Sequence, residues 1–346
     1  MDFDPDTSQE SAVRVAEGIC AEVLPSLPRG GNDFFRDAHD ALGVRGLFDT
    51  SAVNAVHAAR IAMTLAARSS SLALAFAIGY GFERTIGRLS LGAASQASLL
   101  SSGIGIVAFG RFAEWQADAD ETTEALELDG EAPLVRGGLS ATRVVLGTEV
   151  GVNPPWIAHL DMTTPGLVRV PSRHVLGFER IPACSVRTDG VRLEPSAVLA
   201  QGDLADSLIR SIRDARRTLD AAIAIGIGRR AFRAAVEHLR TLGSRPSQST
   251  EFSLSDAAAD LDAGELSVFR AAWIGDTGGD AALDSASAML LGARAATRAA
   301  HTAIAVVGAA ACTDELRQCY LDACALESRE GTTALEDTIS STMLEE

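Results

Sequence analysis

Over roughly the first hundred residues, hydrophobic positions recur every three to four residues. "SAVRVAEGICAEVL" (11–24) shows the spacing, and "LPSLP" followed by "RGG" ends it. "DFFRDAHDALGVRGLFD" (33–49) repeats the pattern and stops at Gly43 and Gly46. "SAVNAVHAARIAMTLAARSSS" and "SLALAFAIGYGFERTIGRL" predict two more helices, split by the serine cluster, and "AASQASLLSSG" a short last one. From about residue 103 the period falls to two. "GIGIVAFGRF", "EALELD", "PLVRGG", "TRVVLG", "WIAHLDM", "GLVRVPS" and "CSVRTDGVRLEP" are short and β-branched, with turn residues between them. After Pro195 the helical period returns in four long stretches, beginning at "GDLADSL", "SLSDAAAD", "DAALDSAS" and "DELRQCY". The pattern predicts an α+β multidomain chain: an N-terminal helical domain (1–102), a middle antiparallel β domain (103–200) and a C-terminal four-helix bundle (201–346).

Composition narrows the chemistry. The 346 residues carry a formal net charge of −16, which argues against a nucleic-acid partner. There is no lysine, so Schiff-base chemistry on lysine and a phosphate-binding P-loop are excluded. Aromatic residues make up 5% of the chain, so the core must be built mainly from Ala, Leu, Val and Ile. The five cysteines form no C-x-x-C pair and the histidines have no metal spacing, which predicts reduced thiols, a cytoplasmic protein and no bound metal. The N-terminus "MDFDPDTSQE" is too acidic and polar for a signal peptide, and the apolar run 61–82 is interrupted by Arg68 and three serines, so no membrane span is expected. Alanine-rich helix faces predict a homo-oligomer, although close packing within one chain explains them as well. "AIGIG" (224–228) has loosely nucleotide-loop spacing, but it lies inside a helical pattern and reads as tight packing.

The C-terminal half resembles the acyl-CoA dehydrogenase superfamily. "RRTLDAAIAIGIGRRAFRAAVEH", "QSTEFSLSDAAADLDAGELSVFRAAW", "AIAVVGAAACTDE" and "LDACALESREGTT" follow one another in the family's order over residues 213–335, and "DALGVRGLF" resembles a segment of its first domain. The resemblance implies the same three domains, with FAD between the β domain and the bundle. It implies α,β-dehydrogenation of an acyl thioester, on CoA or a carrier protein, with Glu330 as the base that takes the Cα proton. Desolvation of a buried carboxylate is expected to raise its pKa for that task. Arg217 falls on the family's arginine. Arg240, Gly308, Gly331 and Thr332 fall on positions that hold the cofactor, and a dimer or tetramer is implied.

Several positions depart from the family pattern. "VAFGRFAEWQADADE" stands where a small-residue loop meets the flavin and its pyrophosphate. The aromatic W-F-I-T segment, placed near "GGLSATRVVLG", lacks its aromatic pair. The arginine-rich loop is reduced to "RTLG" (Arg240–Gly243), and a Gly-Gly pair has become Gly308 and Ala309. Leu321 stands for an arginine and Arg329 for a tyrosine. Two readings follow: FAD held by altered contacts, or a flavin-free relative that acts as partner subunit of a related dehydrogenase or as a non-redox proton-transfer enzyme. Arg329, beside Glu330, offers a structural ion pair as a further reading.

Overall fold

The structure is a computed structural model and describes residues 7–89, 100, 103–116, 126–149, 154–173, 175–243, 245–309 and 312–345. The helix expected over 93–103 and the acidic stretch after Gln116 fall largely outside these residues. Four helices come first: α1 (Thr7–Glu22), α2 (Gly31–Val44), α3 (Ala55–Ala66) and α4 (Ser70–Arg88). The breaks between them have local causes. Asn54 caps α3 by accepting from the His57 N–H, and the His57 ring accepts the Asn54 N–H in return. Ser69 caps α4 by accepting from Leu72 N–H, which explains why the serine cluster divides an otherwise continuous apolar run.

The middle domain has seven strands: β1 (Gly105–Gln116), β2 (Leu126–Arg136), β3 (Arg143–Thr148), β4 (Trp156–Asp161), β5 (Leu167–Pro171), β6 (Ala183–Leu193) and β7 (Val198–Gln201). Their order is β5-β6-β2-β1-β3-β4-β7. All neighbouring pairs are antiparallel except β1 and β3. That exception follows from an up-down-up path: β2 reverses direction, so β3 runs with β1 and fills its other edge. The partner of β1 changes within the strand, from β3 over Gly105–Gly110 to β2 from Arg111 onward. "EALELD" and "PLVRGG", which read as two strands, are one strand with a register shift between Ala132 and Val135. Pro133 fits such a bulge because it has no N–H to leave unpaired. Leu134 there takes φ 53°, a region bulky residues seldom enter.

The C-terminal bundle holds α5 (Gly202–Leu242), α6 (Gln248–Asp276), α7 (Ala282–Val307) and α8 (Asp314–Glu327), with a further helix α9 (Thr332–Glu345) beyond the four expected. α5 has 41 residues and spans about 60 Å at ~1.5 Å per residue. Its stretch from Arg217 to Gly228 is buried at every position, so it runs through the core instead of lying on it. The two glycines of "AIGIG" allow this. A Cβ on Gly226 would lie 2.5 Å from the Met63 carbonyl of α3, and one on Gly228 would lie 2.5 Å from Leu261 of α6. The motif is a packing device between helices.

A buried acid stitches the domains together. Asp322 on α8 accepts hydrogen bonds from Ser70 at the start of α4, from Gln318 and from the Phe178 backbone N–H in the β domain. Arg136 at the end of β2 donates to the carbonyls of Leu176, Gly177, Phe178 and Ile181 and so fixes the same loop from the other side. Among the described residues no helix is long and apolar enough to cross a membrane, no cluster of side chains is arranged to hold a metal, and all five cysteines are free thiols.

The α3–α5 contact generates a test. Gly226→Ala forces a methyl group against backbone, and overpacking a core costs about 1–3 kcal/mol. Thermal unfolding should therefore fall by several degrees. An unchanged midpoint would show that α3 does not approach α5 this closely.

Candidate active site

The turn between α8 and α9 carries Arg329 and Glu330. α8 closes with Ser328 N–H on the Cys324 carbonyl and Arg329 N–H on Leu326. Gly331 then takes φ 78°, a left-handed conformation that glycine adopts without strain, and Thr332 begins α9. This abrupt reversal leaves the Glu330 side chain pointing at α5, where it is 13% exposed.

Two adjacent residues of α5 meet it. Arg217 Nε lies 2.7 Å from Glu330 Oε2 and Arg216 Nη2 lies 2.9 Å from Oε1. Arg217 is buried, whereas Arg216 is partly open. One turn further on, Asp220 is buried and pairs with Arg329 at 2.9 Å. One turn back, Asp214 is approached by Arg213 and by the Ser285 hydroxyl. "RDARRTLD" thus places alternating charges inward where the bundle meets the β domain.

These contacts set the protonation states. Burial pushes the Glu330 carboxyl up, but the charges and hydrogen bonds of Arg216 and Arg217 together outweigh it and hold the pKa below the ordinary carboxylate value. This corrects the expectation of a raised pKa. Desolvation is real, but two guanidinium groups oppose it. Asp220, by contrast, is raised, with burial as the dominant cause. The expected Arg329–Glu330 pair is also corrected. Arg329 serves Asp220, because successive residues in the turn project in different directions.

A cavity of about 140 Å³ opens beside this network, between α4, β1, β2, α5 and Arg329. Its β-domain wall is Ile106–Phe109 and Pro133–Arg136. The wall on β2 is therefore the bulged end of that strand, upstream of the segment 137–147 where the sequence resemblance placed the W-F-I-T stretch. Five arginines line the cavity, Arg84, Arg88, Arg136, Arg216 and Arg329, against a single acid, Asp220. A second cavity of about 590 Å³ lies beyond α4, bounded by the first half of α5 and the turn between α6 and α7.

The expected site residues divide into two groups. Arg217 and Glu330 come together, with Gly331 and Thr332 directly after them. Arg240 is exposed near the end of α5 and Gly308 follows the end of α7, both away from that contact. None of the six lines the cavity itself; their neighbours Arg216 and Arg329 do. Sequence reasoning missed Arg216, Asp220, Arg84 and Arg88. The available signal was the presence of charges inside apolar helical patterns, in "RDARRTLD" and "GFERTIGR".

A flavin fits these residues poorly. Sites that enclose drug-sized ligands usually offer ~300–1,000 Å³, and this cavity offers about 140 Å³. Phe109, the Leu134 bulge and Arg136 occupy the β-domain wall, and Arg136 is fixed there by four backbone carbonyls. Burial lowers the Arg136 pKa to about 10, and its nearest charged neighbours are Arg329 and Asp322.

Residues 208–342 match the family described as acyl-CoA dehydrogenase, C-terminal domain. The mouse short-chain specific acyl-CoA dehydrogenase of mitochondria is 26% identical over 184 residues, which cover 51% of this chain and 45% of that protein. The match thus spans about half the length of the curated relative. Among solved structures, butyryl-CoA dehydrogenase from Megasphaera elsdenii superposes with a TM-score of 0.84 over 99% of this chain and 100% of its own, at 17% identity. Glutaryl-CoA dehydrogenase from Mycobacterium smegmatis, in complex with FADH2, gives 0.80 over 99% and 96%, also at 17%. At such identities the structural likeness speaks for the fold alone. With the family match in its bundle and the same architecture from end to end, residues 208–342 are an acyl-CoA dehydrogenase C-terminal domain, and the chain as a whole has the fold of that superfamily's solved members.

Proposed function

We propose that this chain acts on an acyl thioester, carried by CoA or a carrier protein, and that Glu330 removes the proton from Cα. The observation that carries this reading is the Glu330–Arg217 contact on a reversed turn whose neighbouring residue, Arg329, lines a cavity between the domains together with Arg216. Glu330 sits behind that lining, so displacement of Arg216 opens its carboxylate to a ligand from the bundle side while Arg217 fixes its direction. Arg216 is the partly open partner, so it is the contact a ligand displaces most easily. Release of one guanidinium leaves burial as the stronger influence and raises the basicity of Glu330.

Dehydrogenation also removes a hydride from Cβ, and the β-domain side of the cavity has little room for a flavin in the arrangement described. The small cavity and the fixed Arg136 favour a second reading. In it the chain supplies the proton-transfer side of a dehydrogenase assembled with a related subunit, or transfers the proton without redox chemistry. The superfamily resemblance supports oxidoreductase chemistry in an oligomer, and we assign the flavin to the partner.

Two measurements separate these readings. Glu330→Gln keeps the size of the side chain but cannot take a proton. Solvent deuterium exchange at Cα of butyryl-CoA, followed by NMR, should fall by about 10²–10⁴-fold, the usual contribution of a general base. Exchange that continues undiminished in the variant removes Glu330 from the chemistry. In the second measurement, the purified chain is incubated with FAD and desalted. The second reading predicts colourless protein, whereas a retained flavin spectrum would return the cofactor to this chain.

A further inference from the structure

The two cavities share a wall on α4, where Arg84 and Arg88 stand one turn apart. Like charges at this spacing repel each other and weaken a helix. Arg84 is compensated. Its Nη1 donates to the Tyr80 hydroxyl at 2.8 Å, and its Nη2 lies 3.6 Å from Asp276, which also accepts from the first N–H groups of α3. Arg88 has no such direct partner. Among the described residues it makes no ion pair and no hydrogen bond, although it is half-buried. Burial, and then Arg84, lower its pKa and outweigh Tyr80, Asp276 and Asp214, which favour its charge without touching it.

The space beside Arg88 suits an anion. The second cavity, about 590 Å³, is four times the volume of the first. Ser207 and Ser211 line it from one face of α5. The nearby charges are already committed: Arg210 to Asp206, and Asp214 to Arg213 and Ser285. Among the described residues beside this cavity, Arg88 is the cation left without a direct partner, in a chain whose net charge is −16.

We propose that this second cavity binds a small oxyanion, a carboxylate or a phosphate, with Arg88 as counter-ion and the Ser207 and Ser211 hydroxyls as additional donors. The site stands independently of Glu330. Because it shares a wall with the first cavity, the oxyanion has two sources: the far end of an acyl group whose thioester reaches Glu330, or the phosphate of the thioester's carrier.

Calorimetry and thermal unfolding in chloride buffer, with inorganic phosphate or succinate added, test the site. We expect binding and a raised unfolding temperature with at least one of the two. Arg88→Gln should weaken that binding by about tenfold or more, the scale of one charge-assisted hydrogen bond. Without added oxyanion, Arg88→Gln should unfold at the same temperature as the wild type or higher, because it removes a charge without a direct partner beside Arg84. Glu330→Gln should bind phosphate or succinate as the wild type does, which separates this site from the base. The source follows from a comparison of succinyl-CoA, butyryl-CoA and free CoA. An Arg88 effect confined to succinyl-CoA supports the acyl carboxylate, and an equal effect on all three supports the carrier phosphate. The proposal is overturned if neither oxyanion binds, if Arg88→Gln binds as well as the wild type, or if Arg88→Gln unfolds earlier in chloride alone. That last result would make Arg88 a structural cation at the C-terminal end of α4.

Discussion

The Glu330 carboxylate shared between Arg216 and Arg217 is the constraint around which this end of the molecule is arranged. It joins the α8–α9 turn to the central helix at the level where the bundle meets the β domain. Removing one member of a buried ion pair typically costs about 3–5 kcal/mol, because the other charge is left without compensation. The neighbouring Asp220–Arg329 pair obeys the same constraint, so the network must be kept or replaced as a whole. The same interaction that orders Glu330 also makes it a weak base at rest. On the proposed role of Glu330, proton transfer and stability therefore draw on one set of contacts, and ligand entry has to alter them.

The domain architecture was legible in the sequence because it rests on periodicity. The switch from a helical period to a period of two and back announces the order helices, sheet, helices, and the seven observed strands run from Gly105 to Gln201. "AIGIG" was read correctly as packing, since it sits within an unbroken helical pattern. The bulge at Pro133–Leu134 escaped, because a break in alternation looks like a turn between two strands. β7 escaped because four residues are too few to show a period. The parallel β1–β3 pair is a property of the chain path, which local pattern does not encode.

The site was only half legible. Glu330 and Arg217 could be named because the family resemblance aligns them, and the structure brings them within hydrogen-bond distance. Their electrostatics could not be read in advance. The partner of Arg329 depends on which way a side chain leaves a turn, and sequence adjacency suggested the wrong acid. Arg84 and Arg88 lie about 130 residues from Arg216 in sequence, and only the packing of α4 against α5 places them on the same cavity.

The central claim is that the two arginines hold Glu330 ionised and poorly basic until a ligand loosens them. The most direct measurement is the titration of the Glu330 carboxyl itself. It can be read as the infrared carboxyl difference between each protein and its Glu330→Gln counterpart, over the pH range in which circular dichroism shows both folded. The account predicts a midpoint below the ordinary value of 4.5 in the wild type, and a higher midpoint when Arg216→Gln is introduced. A wild-type midpoint at or above the ordinary value, or one that Arg216→Gln leaves in place, would contradict it.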